Sequence, residues 1–105
     1  MRQFCVYPNP NAATSKAYPY LLNVQSDLIE GLGSRVMVPL APADTFKGKR
    51  LGGLMPMFRI EGADCVMLTA QASGMSVKRF GSEVADLSHE RAAIMAALDL
   101  LISGI

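Results

Sequence analysis

One histidine, His89, two cysteines, Cys5 and Cys65, and nine carboxylates are the main stock from which this chain could draw acid–base, thiol or metal chemistry. General acid–base catalysis needs such a group within reach of a nucleophile. His89 stands beside Glu90 and Arg91, in what reads as a first helical turn, and no nucleophile is placed near it. It reads as a solvated or capping residue. The cysteines lie far apart, each inside an alternating apolar segment. They read as two buried free thiols that pack as small hydrophobes, rather than as a disulfide or a metal pair. One His and two dispersed Cys do not supply metal-ligand spacing, so no metal is expected. Gly31, Gly33, Gly52 and Gly53 fit neither the phosphate-loop nor the dinucleotide pattern, and no cofactor follows from them. Lys47, Lys49 and Arg50 share one loop without interleaved aromatics and read as a solvated face. Ten Lys+Arg against nine Asp+Glu leave no basic stripe for nucleic acid. Seven methionines are many for 105 residues; most read as core filler, though such side chains also line adaptable binding patches. Taken together, these residues describe a binding module and not an enzyme.

The elements that must position them read as strands first and a helix last. Gln3–Tyr7 is a first strand, ended by Pro8-Asn9-Pro10-Asn11. Tyr18–Gln25 is a second, with Tyr20, Leu22 and Val24 on one face and Pro19 at an edge or bend. After a flexible turn at Glu30–Ser34, Val36-Met37-Val38 makes a short strand closed or edged by Pro39, and a long loop covers Ala41–Gly53. Leu54–Ile60, Cys65–Thr69 and Met75–Phe80 are three further strands. Both of their connectors, Glu61–Asp64 and Gln71–Gly74, look hairpin-like. Ser88 is the expected N-cap of a helix over His89–Ile102. That helix is apolar almost all round, with only Asp99 polar from Ala92 to Ile102. An all-round apolar helix must be buried, and a small domain has little core for it, so a second copy of the chain is its expected cover. The order predicts an α+β fold, an antiparallel sheet packed by a terminal helix, in a single domain over residues 1–105. No apolar run is long enough to span a bilayer, and no signal-peptide core follows Arg2, so a cytoplasmic location is expected.

Three blocks carry a family resemblance: Val24-Gln25-Ser26-Asp27-Leu28-Ile29, then Arg35-Val36-Met37-Val38-Pro39-Leu40-Ala41, then Glu83-Val84-Ala85-Asp86-Leu87-Ser88-His89. With Gln3-Phe4-Cys5-Val6-Tyr7 and the closing Gly104-Ile105, the chain resembles the CcdB toxins of bacterial type II toxin–antitoxin modules over nearly its whole length. The resemblance implies an SH3-like antiparallel β-barrel with a C-terminal helix, working as a homodimer. It implies a role in plasmid maintenance, through a topoisomerase poison that wedges into the A subunit of DNA gyrase. A CcdA-like antitoxin, whose disordered tail folds onto the toxin, would neutralise it. DNA would be met only indirectly, through gyrase or the antitoxin. Carried over position by position, the gyrase-facing residues are Ser26, Leu28 and Ile29, with Asp99, Ile102, Ser103, Gly104 and Ile105.

The family's ending, an aromatic followed by Trp-Gly-Ile, is here Ile102-Ser103-Gly104-Ile105, and a typical asparagine one turn earlier is Asp99. Ser103 has no ring to act as a buried anchor. That departure motivates a second reading, a nontoxic or retargeted relative that still binds an antitoxin. A third, a MazF/Kid-like ribonuclease, rests on shared barrel architecture alone, which does not fix function.

Overall fold

Alternation in the first two apolar segments gives each strand two packed faces. Strand β1 (Cys5–Pro8) pairs antiparallel with β2 (Tyr20–Asn23), Val6 opposite Leu22. The computed structural model describes every residue except Glu30 and Ile105. β2 pairs with the long β3 (Ser34–Pro42), and β4 (Met57–Ile60) with β5 (Ala63–Met67), which in turn lies on β3. β6 (Ser73–Ser76) also pairs with β3, and a two-residue β7 (Ala85–Asp86) closes onto β1. The hydrogen-bonded order is β4-β5-β3-β2-β1-β7, a nearly closed antiparallel sheet followed by one helix, α1 (Arg91–Ser103). The expected α+β class and SH3-like barrel are therefore observed.

Several boundaries differ from the sequence reading for identifiable reasons. β3 runs through both Pro39 and Pro42 instead of closing at Pro39, so Ala41 and Pro42 leave the expected loop and join the strand. Pro39 is tolerated because of where it faces. Its carbonyl accepts the Leu68 amide, and in a strand the N and C=O of one residue point to the same side. Its donor-less nitrogen therefore faces the gap between β5 and β6, where no ladder bond is required.

The second connector is not a hairpin. β5 and β6 lie end to end along the same edge of β3, joined by a 3-10 turn at Thr69–Gln71. Leu40 lies opposite Met67, yet Met37 lies opposite Ser73. Three steps back along β3 thus match six forward on its partner, and three residues are looped out. The first connector is a true hairpin. Ile60 faces Ala63 across Glu61-Gly62, whose φ values of 50° and 83° are the two positive angles a type I′ turn requires.

One sheet face holds the main core. Val6, Leu22, Val38, Leu40, Ile60 and Met67 pack there with Tyr20 and Val24, as the expected face of the second strand requires. Ile94 and Ala97 of α1 close this core. The opposite face carries two smaller clusters, one around Tyr7, Leu21 and Met37, the other around Ala41, Val66 and Leu68. Both cysteines are buried and free, as the sequence suggested.

The helix corrects two expectations. Ser88 is not its N-cap: the chain enters through a 3-10 turn at Ser88–Glu90, and Glu90 occupies the cap without a side-chain bond. Asp86 Oδ1 accepts the Ser88 amide at 2.8 Å instead, so the aspartate organises the entry. The apolar helix also needs no second copy for its inner face, because the domain's own sheet buries Ile94 and Ala97. Ile94→Ala should cost about 2–5 kcal/mol, as for other fully buried aliphatics, and lower the urea midpoint at unchanged slope. No described helix is long and apolar enough to cross a membrane.

Candidate target-binding site

Leaving β2, the chain makes a three-residue 3-10 turn, Asp27–Ile29, held by its own polar residues. Ser26 Oγ accepts the Leu28 amide at 3.1 Å, and the Ser26 carbonyl accepts that of Ile29. Asp27 Oδ1 accepts the Gln3 amide at 2.8 Å, fastening the turn to the segment before β1. These bonds leave Leu28 96% exposed and Ile29 50% exposed. Half-buried Ser26 therefore shapes the turn, and Leu28 and Ile29 form its apolar surface.

At the other end of the chain, α1 stops at Gly104, whose φ of 75° and amide bond to the Leu100 carbonyl make a left-handed cap. Ser103 Oγ donates to the Asp99 carbonyl at 2.6 Å, so its side chain folds back along the helix. Ile102 projects into solvent at 84% exposure, beside the exposed Asp99. Ile105 lies outside the described residues. Among the described residues, Leu28 and Ile102 are the two most exposed large apolar side chains.

The structure thus gathers the expected residues into two groups, with no hydrogen bond joining them among the described residues. Asp27 shares a cleft with Phe4, Ser88 and Arg91, which sets the first group near the start of α1. The second group is at its end, about 18 Å along the helix by its rise per residue. Phe4 is itself unusual. Its φ of 69° is left-handed, and the conformation is kept by bonds on both sides: its amide donates to Asn23 O at 2.6 Å and its carbonyl accepts from Leu87. Arg91 lies over its ring, 5.4 Å from the centroid.

The sequence reading missed one convergence. Cys5, Glu83 and Asp86 bring their ligand atoms within 4.8 Å of one another. Arg2 occupies both carboxylates, at 3.3 Å from Glu83 and 3.4 Å from Asp86, which makes this an ion-pair cluster. Burial, reinforced by a hydrogen bond to the Glu83 carboxylate, pushes the Cys5 thiol up to about 11. At Tyr20, the 2.6 Å bond to Glu61, with burial, pushes the phenol up to about 12. Both folded groups hold their protons above the pH at which the unfolded groups release them. Stability is then complete below about pH 9 and falls as pH rises toward 11. Urea midpoints should hold between pH 8 and 9 and decline from there to pH 11; a profile flat throughout would contradict this. His89 is exposed in its 3-10 turn.

The sequence also gave no warning of a groove of about 540 Å³ between the 11–18 segment and the loop after β3. Tyr18, Ala41 and Phe46 floor it, and Lys16 and Lys47 flank it. Neither lysine has an ion pair among the described residues.

Compared with known protein families, residues 3–104 match the family model described as CcdB protein. That match takes in both apolar groups up to Gly104, the strand order and the terminal helix. The chain therefore belongs to the CcdB family, the toxins of toxin–antitoxin modules.

Proposed function

We propose that this chain, a single domain over residues 1–105, binds the A subunit of DNA gyrase in the bacterial cytoplasm and poisons it. It acts as a homodimer and is neutralised by a CcdA-like antitoxin. The observation that carries this reading is the exposure of Leu28 and Ile102, at 96% and 84%. Scattered exposed leucines are ordinary, but these two fall on the positions that the family resemblance assigns to the target. A buried apolar anchor is what an interface of this kind needs.

Dimerisation fits the separation of the two groups along α1. A two-fold axis presents every patch twice and lets the turn of one protomer and the helix end of its partner share one surface. For the antitoxin, the groove flanked by Lys16 and Lys47 offers two cations, without ion pairs among the described residues, over an apolar floor. A disordered acidic tail carrying apolar side chains suits it, since such tails fold on binding over large surfaces.

The test is direct. Purified chain added to gyrase should inhibit supercoiling and accumulate cleaved DNA, and expression without antitoxin should arrest growth. A gyrase allele altered at the binding site should relieve that arrest. Supercoiling unaffected at high protein concentration would sink the reading.

Ser103 favours one competing view, a nontoxic or retargeted relative. Its hydroxyl is turned back onto the helix and offers no ring to a target. In that case the antitoxin still binds and gyrase is untouched.

A further inference from the structure

A leucine exposed at 96% makes no packing contacts that could fix it in place. Its turn is only three residues long, and an interval of chain separates its end from β3, which begins at Ser34. One side chain spans that interval. Gln25 Nε2 donates to the Ile29 carbonyl at 2.9 Å, and Gln25 Oε1 accepts the Val36 amide at 3.1 Å. The two partners fix the orientation of the carboxamide, because a carbonyl can only accept and an amide N–H can only donate. Gln25 is held in turn: its amide donates to Asn23 Oδ1 at 3.1 Å, and the fully buried Asn23 side chain donates to the Arg2 carbonyl.

We propose that Gln25 is a positioning residue for target binding, a clamp between the end of the Leu28–Ile29 turn and strand β3 that holds the turn in its binding conformation before the target arrives. The inference rests on the reading above, that Leu28 faces the target. Binding by a mobile turn is weakened by the fraction of time it spends in the competent shape. Such weakening falls mainly on the association rate, because the complex, once formed, has the same contacts.

The test compares Gln25→Glu, Gln25→Ala and Leu28→Ser. Glutamate retains the acceptor for Val36 but cannot donate to Ile29 O, so it opens one arm of the clamp only. In ¹⁵N relaxation, order parameters for residues 27–29 should fall from about 0.85 toward 0.6 in Gln25→Glu. The Val36 amide should remain protected from exchange there, and lose protection in Gln25→Ala. Binding to a purified gyrase A fragment should weaken about tenfold in Gln25→Glu, chiefly through the association rate, with the urea midpoint little changed. A loss seen mainly in the dissociation rate would make Gln25 a direct contact and overturn the proposal. An unchanged order parameter at 27–29 would overturn it without any target present. If the unaltered chain does not bind gyrase, the proposed function fails and this inference with it. If Leu28→Ser abolishes binding and Gln25→Glu leaves it intact, only the clamp fails.

Discussion

Leu28→Ser should weaken binding to the gyrase A subunit by about a hundredfold and leave the urea midpoint within experimental scatter. The expected separation follows from burial. A side chain 96% exposed contributes almost nothing to the folded state, and surface changes of this kind stay within about 0.5 kcal/mol. The same side chain inserted into a partner's pocket is an anchor, and truncating an anchor costs about 2–4 kcal/mol, which corresponds to a factor between roughly 30 and 1,000. Serine is the better probe than aspartate here, because a second carboxylate next to Asp27 would disturb its bond to the Gln3 amide. Surface plasmon resonance against an immobilised gyrase A fragment, together with chemical denaturation, reads both quantities. Full affinity in the serine variant would remove this turn from the interface.

Ser103→Trp should act in the opposite direction, lowering the concentration that inhibits supercoiling by about thirtyfold or more. Ser103 is exposed, and its hydroxyl satisfies a carbonyl in the last turn that water can satisfy equally well. Folding therefore loses little, while an interface gains a large rigid ring of the type that dominates binding energetics. The variant also separates the two functional readings. A toxin that already poisons gyrase becomes more potent; a nontoxic relative acquires toxicity. No change in either assay would mean that the helix end does not meet the target, and that Leu28 stands without its companion.

Much of the architecture was legible because the strands alternate cleanly. Tyr20, Leu22 and Val24 share the main core as their period-two spacing requires, and the chain turns at Glu61-Gly62, inside the connector expected to be hairpin-like, with Gly62 at positive φ. β3 was misjudged because a proline looks like a terminator, while its tolerance depends on which side of the sheet the nitrogen faces, and a single strand does not reveal that side. β7 was missed since two residues carry no period. Of the candidate site, Leu28 and Ile102 were reachable only through family resemblance, because an apolar residue in a sequence does not announce its exposure. Gln25 was visible as a letter in the Val-Gln-Ser-Asp block, but its two partners, Ile29 and Val36, meet only after β3 has folded back beside the turn. The groove beside Lys16 and Lys47 was equally hidden, being made by two loops far apart in sequence.

The three residues looped out at Thr69–Gln71 decide more than a connection. Three is odd, and side chains in a strand alternate in steps of two, so the interruption reverses the parity of the strand. Before it, Cys65 and Met67 point into the main core; after it, Met75, at the same odd spacing, packs with Phe80 on the opposite face. A continuous strand with this sequence would have turned Met75 toward the helix and left the cluster around Tyr7 uncovered. The chain thus supplies two separate cores from one edge of β3 by miscounting once, and the miscount is locked: Thr69 is fully buried, and its hydroxyl donates to the Leu54 carbonyl at 2.5 Å.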